Sequence, residues 1–327
     1  MNARESLKML NEAHKLAATG QHAGLLEFLG TQPDEELRHS PSLALLLGIS
    51  HARLGHNDDA RQWVGIALRQ SRERGDRAAE TRALNVSGAI ALENGRVSEA
   101  ASHFSRALAE AERGGDHATV GRASNNLGII ANMRGDHGRA VGSYTMALAA
   151  FQRADLRTGA AEALHNMAIT YRDQGDLAKA LDTADRAVDE AQASGDLRLT
   201  ALAQGGRAEI RLLAGDVVVA QREIERVLEK EKELGNVVGQ AQDLRVWAGC
   251  LAGLGEGQRA EGVLRDVIER AEELGRPLLA AQAERDLALL THKTGRVEEA
   301  SELARSARDR FDTLGAEAEA RKLEDLL

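Results

Sequence analysis

Apolar residues between Gly121 and Arg134 fall at Ala123, Leu127, Ile130 and Ala131, three or four apart and so on one side of a helix. Gly135 is placed to end that helix in a left-handed turn, and Asp136 begins the turn into the next element. Ala140, Tyr144, Ala147 and Leu148 then share one face, which predicts a second helix from about His137 to Arg153. Small residues at Gly128 and Ala140 let the two helices approach closely. Tyr144, and Phe104 earlier in the chain, are expected to fill the space between neighbouring units.

The pattern recurs. Glycine stands at 55, 95, 135, 175, 215, 255 and 295, always forty residues apart, with alanine five residues after each and a small residue seven before. A second glycine closes each unit from position 75 on, except at Asp155, a residue type that tolerates the left-handed conformation. No single helix pair can bury its own apolar face, so the units must stack. Residues 41–315 make seven such units. Residues 1–40 read as a divergent first pair: a helix over Ala3–Thr19, a short helix near His22–Leu29, then a loop through Pro33. Ser40-Pro41 supplies an N-cap and a proline at the first helical position. Residues 316–327 read as a C-terminal capping helix. The expected fold is all-α.

The offsets in Asn126-Leu127-Gly128, Gly135, Ala140 and Tyr144 resemble the tetratricopeptide repeat. The period is forty rather than the usual one of about 34, which predicts a second helix of each pair longer by more than a turn. The chain is similar to the forty-residue variety found in spindle-orientation adaptors and kinesin light chains, and to repeat arrays of large bacterial regulatory proteins. The resemblance implies a right-handed superhelical solenoid whose concave groove is lined by the first helix of each pair. It places the second, fifth, sixth, ninth, twelfth and thirteenth positions of each unit in that groove.

On this reading the groove holds Arg82 and Asn85, then Arg122, Asn125, Asn126 and Ile129, then His165, Asn166, Ile169 and Arg172. An amide can pair with the backbone of an extended peptide, and a guanidinium can grip a carboxylate in two bonds. The bland alternative for the asparagines is bonding to a neighbouring repeat's backbone. Gly205, Gly206 and Gly249 fall at groove positions further along, each costing about 1 kcal/mol in a helix if uncompensated. They predict either a hollow for a bulky apolar side chain or close packing between repeats. The expected partner is a protein or peptide ligand, held by an adaptor or, alternatively, by a receptor for a short peptide or small molecule.

Composition narrows this further. A net charge of −9 disfavours nucleic acid and anionic membranes, although residues 51–150 carry a small positive excess around Arg53, Arg82 and Arg122. The start is too polar for a signal peptide and no apolar run could span a bilayer, so a cytoplasmic protein is expected. Arginine far outnumbers lysine, which points to a bacterium of high GC content. There is no phosphate loop, no HExxH and no histidine pair at i, i+4, and His51, His56, His103, His117 and His137 read as turn or surface residues. The single Cys250 reads as a small buried hydrophobe. No catalytic residue, metal or cofactor is expected, and the chain reads as non-enzymatic.

Overall fold

The computed structural model describes residues 3–326. Every regular element among them is helical: eighteen α-helices and a 3-10 turn over Glu324–Leu326. The first three, α1 (Ala3–Ala18), α2 (His22–Gly30) and α3 (Asp34–His39), precede the repeats. Seven antiparallel pairs follow. They are α4 (Pro41–Arg53) with α5 (Asn57–Glu73), α6 (Arg77–Glu93) with α7 (Val97–Gly114), α8 (His117–Met133) with α9 (His137–Arg153), and α10 (Arg157–Asp173) with α11 (Leu177–Ser194). Then come α12 (Leu197–Leu213) with α13 (Val217–Glu233), α14 (Val237–Gly253) with α15 (Gly257–Glu273), and α16 (Pro277–Lys293) with α17 (Val297–Thr313). A short α18 (Glu317–Arg321) ends the series.

Three details differ from the sequence reading. The extra residues of the forty-residue unit are shared, because α8 and α9 are both 17 residues long. Helix α8 starts at His117, four residues before the predicted start, so the second helix is not the longer one. Residues Asp34–His39 form a helix rather than a loop, with Asp34, Glu35 and Glu36 in the first turn, where negative charge suits the helix dipole. The C-terminal segment is not one capping helix but the five-residue α18 followed by the 3-10 turn.

The turns follow the sequence closely. Gly135 has φ 78° and Asp155 has φ 52°, both in the left-handed region that ends a helix. The Asp136 and Asp176 side chains accept from the backbone N–H groups of Arg139 and Lys179, satisfying donors the helix leaves unpaired. Ser40 caps α4, accepting from Leu43 N at 3.4 Å, with Pro41 at the first helical position.

The chain divides into two compact units, one ending at Asn126 and one beginning at Leu127. In the first, Leu25, Leu29, Leu43 and Leu47 build one core cluster, and Ala60, Val64, Ala67 and Ala83 build the next. In the second, clusters follow one another along the repeats, as in Ala208, Ala220, Ile224 and Cys250, then Ala248, Leu251, Leu264 and Leu287. Cys250 is buried, and burial followed by the nearby Glu225 charge pushes its thiol up to about 11. It is a packing residue.

The aromatic residues have a more specific place than expected. A Cβ built on Gly128 would lie 2.5 Å from Cε1 of Tyr144, so the ring sits directly on the facing helix of its own pair. Phe104 occupies the same position over Gly88. Tyr144 also packs on Met167 and Tyr171 of the following helix, so it joins two units as well as two helices. Where the small residue is alanine, its partner is aliphatic: Ala184 clusters with Ala168, Ile224 with Ala208 and Leu264 with Ala248. At Gly88 and Gly128 ring thickness and the missing methyl group are matched, whereas Gly48 is filled by Val64.

Candidate binding site

In the second unit the first helices of successive pairs turn a common set of side chains inward. Positions five, six, nine, twelve and thirteen of the repeats supply Arg172 and Asp173 on α10, Glu209 on α12, Arg245 on α14, and Arg285 and Asp286 on α16. Arg172 pairs with Asp173 at 2.9 Å and with Glu209 at 2.6 Å. Glu209 also pairs with Arg245, which reaches Asp286 at 2.7 Å, and Asp286 pairs with Arg285 at 2.7 Å. Arg285 pairs with Glu319 of α18. The adjoining Lys322 lies 2.6 Å from Glu319 and 3.3 Å from Asp173, where the series began. Four cations and four anions alternate around a closed ring.

Burial makes the ring self-consistent. Stripping water from Glu209 would raise its carboxyl, but Arg245 and Arg172 hold it far below the usual range. For Arg245 burial opposes the charge, and Glu209 and Asp286 outweigh it. Charges this poorly solvated are tolerable only when each has a partner. One atom lacks one: Nε of Arg245 is buried with no hydrogen-bond acceptor.

The C-terminal segment closes this surface. Arg321 donates to the carbonyl of Arg134 at 3.0 Å, and Met133 packs against the cluster of Phe311, Ala316, Ala320 and Leu323. Between the ring and the helices lies a cavity of about 640 Å³ with an apolar wall of Leu212, Leu213, Val217, Val246, Leu289 and Leu290. That volume suits a few side chains or a small organic group rather than a folded domain. Lys293 stands at its edge, exposed, with no ion pair among the described residues.

The expected groove residues meet different fates. Arg172 lines the cavity but is already paired twice, so it is no free guanidinium for a ligand. Gly249 lines the cavity too; a Cβ there would sit 2.6 Å from Leu212 Cδ2. The hollow expected at Gly205 and Gly206 is filled. The Asp243 carboxylate lies against Gly205, and His165 Cε1 would be 2.6 Å from a Cβ on Gly206. Burial, then repulsion from Glu231, raises the Asp243 carboxyl well above its ordinary value. Burial, then the Arg172 charge, lowers His165 to about 4, so its imidazole is neutral near pH 7. Asn166 and Ile169 are half-buried on α10, and Ile129 packs in the cluster of Tyr144 and Met167.

In the first unit Arg82 and Arg122 are exposed and both act on Asp116. Burial would raise that carboxyl, but bonds from Thr119, then Arg122 and Arg82, bring it below its ordinary value. The positive excess read from the sequence therefore has an anion inside it. Asn125 is buried and Asn126 half-buried, whereas Oδ1 of the half-buried Asn85 has no donor. Asn85 offers an unfilled acceptor on the helix face where the repeat reading put one.

The sequence reading missed Arg285, Asp286, Glu319 and Lys322. Charges at positions five and six of the seventh unit were a visible signal. The return of the C-terminal segment to Asp173 was not.

A stack of antiparallel helix pairs with an inward-facing site defines an α-solenoid of the peptide-repeat class. Residues 80–153 match the family model described as tetratricopeptide repeat, and the chain as a whole has the fold of such repeats. No curated protein matches its sequence. Among solved structures it is similar to a Rap protein complexed with competence and sporulation factor, at 14% identity and TM-score 0.64, covering 99% of this chain and 98% of that one. Aspartyl phosphate phosphatase F from Bacillus subtilis is similar at 10% identity and TM-score 0.56, covering 100% and 94%. A signal-transduction ATPase with a tetratricopeptide-repeat sensor from Pyrococcus horikoshii is similar at 14% identity and TM-score 0.60. That match covers 97% of this chain and 48% of that one, so the chain spans about half of the ATPase. At these identities the likeness is one of fold.

Proposed function

We propose that the chain is a non-catalytic scaffold, cytoplasmic and bacterial, that holds a peptide or protein segment in the cavity of its second unit. The observation that carries this is the pairing of an apolar wall with one unfilled donor, Nε of Arg245, and one cation with no ion pair among the described residues, Lys293. The ring charges around them are already neutralised, so the site selects one acidic group beside one bulky apolar side chain. The similar Rap structure is of a complex with competence and sporulation factor, which supports a bound partner on this fold. In the first unit Arg82, Asn85, Arg122, Asn125 and Asn126 are a separate candidate strip.

The test is binding of short acidic-apolar peptides by calorimetry, after selection from a peptide array. Lys293→Glu is expected to weaken binding about tenfold, near 1.4 kcal/mol, and Ala252→Leu to abolish it by filling the cavity. If both variants bind like the wild type while Arg82→Glu or Asn85→Ala does not, the cavity is the wrong site and the first-unit strip is the right one.

A receptor reading shares this site. It is favoured by one observation: Lys322 both lines the cavity and pairs with Asp173, so a ligand competing for that ammonium would release the C-terminal segment.

A further inference from the structure

The turn between α4 and α5 holds a group of side chains that packing and turn formation do not require. His51 lies in the last turn of α4, His56 is the N-cap of α5, and Asp59 is in the first turn of α5. Gly55, with φ 79°, reverses the chain between them and brings residues five apart face to face. Nδ1 of His51 lies 3.4 Å from Nδ1 of His56 and 3.8 Å from Oδ2 of Asp59. One ligand atom from each of the three falls within 4.8 Å of the others.

We propose that His51, His56 and Asp59 form a zinc(II) site with a water molecule in the fourth position. Zinc bonds imidazole nitrogen at about 2.0–2.1 Å, so two nitrogens on a tetrahedral ion are separated by about 3.3–3.4 Å. The two imidazoles already stand at that spacing. Asp59 needs to close by a few tenths of an ångström on His51 and further on His56, from within 4.8 Å, and its side chain is 59% exposed and free to turn. Two nitrogens and one carboxylate oxygen are a donor set that zinc accepts, and copper(II) and nickel(II) would compete for it.

The internal repeats provide the control. The position of His51 is Ala91, Ala131, Tyr171, Arg211, Leu251 or Thr291 in the other units, and that of His56 is never histidine again. Asp136 and Asp176 at that second position cap their helices, whereas His56 makes no capping bond and turns back towards His51. The turn therefore forms without this trio. A search for histidines on one helix face overlooks the pair, since the two sit on different helices.

The experiment titrates the tag-free full chain with zinc chloride by calorimetry and with cobalt(II) by absorption spectroscopy. One zinc per chain is expected, with the intense visible bands of four-coordinate cobalt. His51→Gln and His56→Gln should each weaken binding at least tenfold, Asp59→Asn less, and His103→Gln not at all. Circular dichroism verifies that the variants fold. The site is refuted if the wild type binds zinc no more tightly than the His51→Gln, His56→Gln double variant, or if bound cobalt gives only the weak bands of a six-coordinate aquo ion.

Discussion

Lys322 places its ammonium 3.3 Å from the carboxylate of Asp173, a residue 149 positions earlier in the chain. Asp173 also takes Arg172 at 2.9 Å and an amide N–H of Asn132 at 3.1 Å. The C-terminal segment is thus fastened to the fourth repeat by a carboxylate that two other groups already orient. Lys322 itself is 41% exposed, so this contact is the softest link of the ring.

Replacing Lys322 by alanine should cost about 1 kcal/mol or less, as exposed pairs do. The effect will be local. Amide hydrogen exchange in residues 316–326 and around Arg134 is expected to rise about three- to fivefold, with the repeat core unchanged. Exchange that rises throughout the second unit instead would mean that the C-terminal segment supports the whole stack.

Arg245 is the opposite case. Its removal in Arg245→Met leaves Glu209 and Asp286 without a shared cation in a place where water cannot compensate. A loss of about 3–5 kcal/mol is expected, read as a shift in the urea midpoint. Adding Glu209→Gln should recover part of it, because the remaining ring then holds three charges of each sign. No recovery would show that the arginine acts through its bulk alone.

Gly128 and Tyr144 should be coupled. Gly128→Ala drives a methyl group into a ring 2.5 Å away and should cost about 1–3 kcal/mol. Tyr144→Ala opens a cavity and should cost about 3–5 kcal/mol, or roughly 6–20 °C in Tm for a unit of this size. Gly128→Ala with Tyr144→Ile reproduces the Ala208 and Ile224 pair, and should be less damaging than the sum of the two single changes. Additive losses would contradict the size matching along the repeats.

Two buried groups give opposite pH dependences. His165 has a folded pKa of about 4 against 6.5 unfolded, so the unfolded chain takes the proton first and stability falls as pH drops from about 6.5 to 4. His165→Asn should remove that slope from a series of melting curves. For Asp243 the folded pKa is raised, so its contribution is fully present below the unfolded value of 3.8 and is lost as pH rises through the folded one. Asp243→Asn should therefore raise Tm at pH 7 and leave it nearly unchanged at pH 3.5. A lower Tm at pH 7 would mean that the carboxylate is satisfied as an anion.

The helix pairs, their turns and the inward positions were legible in the sequence because each is a local matter. Gly135, Asp155 and Asp136 act within a few residues of themselves, and a forty-residue period repeats the same local instruction seven times. The candidate position of Arg172 came from the family resemblance, carried over by counting along one helix. What counting could not supply is which inward charge meets which. Glu209 reads as a groove acid, yet it lies between Arg172 and Arg245 from the units before and after its own, and Gly205 reads as a hollow that Asp243 fills. The closing contact of Lys322 with Asp173, and the facing of His51 and His56, arise the same way. The sequence alone determined the repeating unit, since backbone geometry and amphipathic spacing are properties of neighbours along the chain. Only the tertiary structure decided the pairing of charges, because the rotation accumulated over successive units sets which distant side chains meet, and burial then forces each charge to find a partner.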